Sequence, residues 1–123
     1  MIASRGLNHI NLNVSDIRRS LEFYQKAFGL EVRFWEGRRM VFLGSPGAGD
    51  VITLCQVESG EPIGSGGVTH FGFALGDRSA LDESVRQVER AGGRLLSRGE
   101  HAPGVPYAYF ADPDGYVIEI GNS

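Results

Sequence analysis

The chain has 123 residues, 41% hydrophobic and 22% charged, which fits one compact domain with a real core. Its net charge of −3 gives no basic footprint for nucleic acid, and no apolar run approaches the roughly 18 residues needed to span a bilayer. Cys55 is the single cysteine, so an internal disulfide and a CxxC motif are both excluded. The opening MIASRGLNHI lacks the charged-then-apolar pattern of a secretory signal, and a cytoplasmic location is expected.

Leu7 to Val14 reads LNHINLNV, with apolar residues alternating against His9, Asn11 and Asn13. A period of two predicts a strand with distinct faces. Ser15 or Asp16 can cap a following helix, where Ile17, Leu21, Tyr24 and Phe28 form one apolar stripe and Gly29 supplies a left-handed stop. Strands are expected at Glu31 to Glu36, Arg39 to Leu43 and Val51 to Val57, with the Arg38-Arg39 pair in a solvated turn. Glu58 to Gly67, ESGEPIGSGG, reads as a linker.

The order then repeats. Val68 to Leu75 predicts a strand, and Asp77 or Ser79 starts a helix with Leu81, Val85 and Val88 on one stripe, ended by Gly92-Gly93. Strands follow at Arg94 to Arg98, Pro106 to Ala111 and Tyr116 to Gly121. His101 to Pro106 reads as a loop, and Asp112-Pro113-Asp114-Gly115 as a tight turn. Trp35, Phe42, Phe71 and Phe73 are expected mainly in the core. The fold class is therefore α+β, one domain over 1–123. It comprises a βαβββ module over 7–57, a linker over 58–67 and a second βαβββ module over 68–121, with mixed sheets curving around a cleft.

His9 and His70 are each third in the opening strand of their half, 61 positions apart. Each half offers another position on its last strand. In the second half it is Glu119, and in the first Thr53 or Cys55. Two imidazoles and a carboxylate make a facial triad for a divalent metal ion (Fe2+, Mn2+, Zn2+ or Ni2+), with coordination positions left open for a small-molecule ligand. Asn11 shares the face of His9 and is a candidate substrate contact. Cys55, in an apolar strand without a basic partner in sequence, is expected to be inert.

LNHINLNVSDIRRSLEFYQKAFGL, THFGFAL and YFADPDGYVIEI resemble the signatures of the vicinal oxygen chelate superfamily, which includes glyoxalase I, fosfomycin thiol transferases, extradiol dioxygenases and bleomycin-resistance proteins. The resemblance covers essentially the whole chain. It implies paired modules, often in a homodimer with swapped or adjacent modules, and a metal in a U-shaped cleft held by His9, His70 and Glu119. The fourth ligand of many isomerases falls near Thr53, a poor donor, while alternation turns Gln56 to the opposite face. The expected chemistry is therefore dioxygenase- or transferase-like rather than that of glyoxalase I. Tyr109 resembles the catalytic tyrosine of the dioxygenases. Thr53, Asn11 and Arg98 are substrate-binding candidates, and His101 is a spare histidine on a loop. The contrasting expectation is a metal-free, drug-sequestering protein of the bleomycin-resistance type, which has no chemical need for the triad.

Overall fold

A computed structural model describes residues 1–121. The elements run β1 (Ile10–Val14), α1 (Ile17–Phe28), β2 (Glu31–Glu36), β3 (Met40–Gly44), β4 (Ile52–Gln56), β5 (Phe71–Ala74), α2 (Leu81–Arg90), β6 (Arg94–Ala102), β7 (Val105–Ala111) and β8 (Val117–Gly121). They form two open four-stranded sheets, ordered β1-β4-β3-β2 and β5-β8-β7-β6. In each sheet the first and last strands of a βαβββ module pair in parallel, and the other pairs are antiparallel. Among the described residues, no helix is long and apolar enough to cross a membrane.

Local chemistry accounts for the element ends. Asp16, not Ser15, caps α1, its carboxylate accepting from the amides of Arg18 and Arg19. Gly29 ends that helix at φ 64°, which favours glycine. Asp77 accepts from the Ser79 amide and starts a single 3₁₀ turn (Arg78–Ala80) that leads into α2. Ile17, Leu21 and Tyr24 of α1 and Leu81, Val85 and Val88 of α2 are buried, as their spacing requires. Each such side chain contributes roughly 1.5–3 kcal/mol by leaving water.

One apolar core runs through both modules, with the helices in contact behind the sheets. Phe28 stacks on Phe73 across the seam at 4.2 Å. The Asp112-to-Gly115 turn clamps the same seam. The Tyr24 hydroxyl donates to the buried Asp112 carboxylate at 2.6 Å, and that carboxylate also accepts from the amides of Asp114 and Tyr116. Asp114 in turn accepts from Ser15 and Arg19. Burial, and then the Asp112 charge, push the Tyr24 hydroxyl well above its ordinary pKa. Burial also raises the Asp112 carboxyl, partly offset by its hydrogen bonds.

The segment from Glu58 to Gly67 has no regular element but is tied down: Asn13 donates to the Pro62 carbonyl, and the Val117 amide donates to Ser65 Oγ. The larger departure from the sequence reading lies in β6. This strand continues through Ala102, so the expected loop from His101 shrinks to a turn at Pro103-Gly104. Two register shifts interrupt its ladder with β7, between Leu95 and Ser97 and between Glu100 and Ala102.

Candidate metal centre

The core fixes which side chains face outward. Leu12, Leu54, Leu43, Ala108, Phe110, Ile118 and Ile120 point to the helices, so alternation sends Asn11, Thr53 and Phe42 to the other face of the first sheet. It sends Tyr109 and Glu119 to the other face of the second. Pairing places Asn11, Thr53, Phe42 and Phe34 in one cross-strand row, and Gly72, Glu119, Tyr109 and Ser97 in the equivalent row. Thr53, rather than Cys55, is thus the counterpart of Glu119. It is 2% exposed, and its hydroxyl has no hydrogen-bond partner among the described residues. The equivalence extends to the neighbours. A Cβ on Gly72 would lie 2.7 Å from the Glu119 carbonyl oxygen and 3.2 Å from its Cβ. The missing side chain at 72 gives the longer Glu119 its room, whereas Asn11 faces the shorter Thr53.

His70 immediately precedes β5, and His9 immediately precedes β1. The two share a device: His70 Nδ1 meets Thr69 Oγ1 at 3.1 Å, and His9 Nδ1 meets the Asn8 carboxamide oxygen. In both, the preceding side chain engages Nδ1, so the contact leaves Nε2 as the nitrogen for a metal ion. His70 Nε2 stands 3.4 Å from Glu119 Oε1. Donors held by one ion through bonds of about 2.0–2.2 Å lie roughly 3.0–3.5 Å apart, so this pair matches two corners of one coordination polyhedron. An imidazole nitrogen and a carboxylate oxygen also suit a divalent first-row metal chemically.

His9 does not join them within the chain. It lines a hollow with Leu7, Asp50, Val51 and Phe73, whereas His70 lines another hollow of about 300 Å³ with Asn11, Val68, Tyr116 and the linker glycines. Among the described residues, no three His, Cys, Asp or Glu side chains are grouped to hold one ion. Asn11 and His70 do share a hollow, which brings one expected substrate contact beside one expected ligand.

Tyr109 packs edge-on against His70, ring centroids 5.0 Å apart, and lies across the strand pair from Glu119. Desolvation first, then the neighbouring Glu119 carboxylate, hold the phenol above its usual pKa. Arg98 requires a correction. It was expected near the substrate, but it pairs across from the core residue Ala108, and its guanidinium meets Asp82 of α2 on the helix side. The register shift before Ser97 turns it there. His101 needs the opposite correction. Rather than standing on a loop, its Nε2 lies 2.6 Å from Glu119 Oε2, and its ring stacks on Tyr107. Gly72 and Tyr107 went unmarked by sequence reasoning. Strand pairing of Gly72 with Glu119 and the alternation of Tyr107 with Tyr109 were the signals for them.

Known proteins share this chain's fold and part of its sequence. The chain is 32% identical over 123 residues to an uncharacterized protein of Pseudomonas aeruginosa, covering 95% of this chain and 88% of that one. It is 26% identical to the metallothiol transferase FosB of Staphylococcus epidermidis, over 94% of this chain and 82% of the relative. The fosfomycin resistance protein FosX of Listeria monocytogenes, solved as an E126Q mutant with Mn(II) and dihydroxypropylphosphonic acid, superposes with a TM-score of 0.79 at 24% identity, covering 100% and 93% of the two chains. The profile of the Glyoxalase/Bleomycin resistance protein/Dioxygenase superfamily matches residues 6–120, and this chain belongs to that superfamily.

Proposed function

We propose that this chain is a metal-dependent enzyme acting on a small oxygen-bearing molecule, with transferase-like chemistry. The observation that carries this is the 3.4 Å approach of His70 Nε2 to Glu119 Oε1 on an open sheet face. His70 and Glu119 are two ligands, and His9 of the partner subunit is the third, in a homodimer of swapped modules. The matched Asn8–His9 and Thr69–His70 contacts support equal roles for the two rings. A bound ion supplies Lewis-acid polarisation of substrate oxygens. Thr53 adds no good donor, so positions stay open for the substrate. Tyr109, across the strand pair from Glu119 and against the His70 ring, donates to a substrate oxygen, and Asn11 orients it from the shared hollow. Relatives named as metallothiol and glutathione transferases favour a thiol as the second reactant.

Metal uptake tests the proposal. Full-length protein reconstituted separately with Mn(II), Fe(II), Zn(II) and Ni(II) should bind one of these ions stoichiometrically, and His9→Ala and Glu119→Ala should each lose it. Co-expressing those two variants should restore metal to the mixed dimers and to neither parent. Uptake of none of the four ions would favour a metal-free binding protein. Lost uptake in both parents without restoration in the mixture would mean that the ligands come from one chain.

A further inference from the structure

The two oxygens of Glu119 face different partners. Oε1 looks toward His70 Nε2 at 3.4 Å, while Oε2 is 2.6 Å from His101 Nε2. A carboxylate only accepts, so the short contact requires His101 to carry its proton on Nε2 and to donate it. The hairpin is shaped for this contact. The register shift between Glu100 and Ala102 leaves His101 as an extra residue between the Glu100–Pro106 and Ala102–Val105 pairs. The imidazole then lies on the Tyr107 ring, centroids 4.3 Å apart and planes at 22°. Gly99 leaves room beneath: a Cβ there would meet the Tyr107 hydroxyl at 2.9 Å.

We infer that His101 is a positioning residue for the metal centre, holding Glu119 by Oε2 so that Oε1 alone is presented beside His70. The inference rests on the proposed His70–Glu119 ligand pair and extends it to a residue outside the triad. A carboxylate without this tether rotates among rotamers, and the ordering lost must be regained when an ion binds. Half-exposed and far from the core, His101 has little to contribute to folding.

Mn(II) alone, titrated into full-length protein, separates the hydrogen bond from the ring packing. His101→Phe keeps an aromatic ring on Tyr107 but has no donor, His101→Ala loses both, and His101→Gln keeps a donor. Removing the outer-sphere bond in Phe and Ala should weaken Mn(II) binding about 10–100-fold, and Gln should recover most of that loss. All three should melt close to the wild type without metal. Wild-type affinity in the Phe variant, or a Gln variant no tighter than Ala, would overturn the inference. If His70→Ala abolishes binding while His101→Phe leaves it intact, only this inference falls. A wild-type protein that takes up none of Mn(II), Fe(II), Zn(II) and Ni(II) removes the ligand pair and this tether together.

Discussion

The two modules share strand order, register and a histidine just ahead of the first strand, yet their open faces differ in chemistry. The first carries the row Asn11, Thr53, Phe42, and the second carries Gly72, Glu119, Tyr109. One row carries no charge, and its Thr53 is 2% exposed. The other holds a carboxylate met by His70 and His101, with Tyr109 across the strand pair from it. A repeated backbone therefore supplies two equivalent places, and the side chain opposite each place decides what can occupy it. Glycine at 72 admits a glutamate at 119, and asparagine at 11 accompanies a threonine at 53.

The comparison breaks most completely if the second row is made to match the first. Glu119→Thr should abolish metal binding, a larger effect than the roughly 10–100-fold caused by outer-sphere changes, and metal analysis of the purified variant reads it directly. Next in size is the reverse exchange. Thr53→Glu places a longer, charged side chain at a buried position opposite Asn11 and should cost about 3 kcal/mol in urea unfolding. Adding Asn11→Gly should return part of that loss, because it recreates the space found at Gly72. A double variant no more stable than Thr53→Glu would show that the pairing of sizes is not what separates the modules.

The seam between the modules gives a smaller effect. Tyr24→Phe leaves the buried Asp112 carboxylate without one donor and should cost about 1–3 kcal/mol. The folded Tyr24 hydroxyl ionises well above its ordinary value near 10. Its contribution is thus fully present below pH 10 and lost as pH rises through the folded value. Wild-type stability should fall on that alkaline limb, and Tyr24→Phe should flatten it. Equal slopes for the two proteins, followed by denaturation at stepped pH, would contradict the assignment. The smallest expected effect is at Arg98. Arg98→Ala breaks only a solvent-facing pair with Asp82 and should change neither metal affinity nor melting temperature measurably. A tenfold weaker affinity would return Arg98 to the site.

Much of this architecture was legible in the sequence because it depends on local rules. The alternation in LNHINLNV separates Asn11 from Leu12, the stripe from Ile17 to Tyr24 makes the buried helix face, and Gly29 stops that helix. The β6–β7 hairpin was less legible. Its two register shifts leave no period to read in LLSRGEHA, and one extra residue reverses which face every later side chain takes. That is why Arg98 and His101 exchanged places relative to expectation. That His9 stands apart from His70 within the chain was not legible either, since it depends on how the modules pack rather than on any strand's own pattern.

The Asp112-to-Gly115 turn has a mechanical consequence. It latches the two modules through Tyr24, Ser15 and Arg19, and the strand that leaves it carries Glu119. Latch and ligand belong to one continuous piece of backbone. A strain that pries the modules apart is delivered along β8 to the carboxylate, while β2 and β3 lie outside the load path. The carboxylate is in that sense a gauge of how firmly the halves are closed.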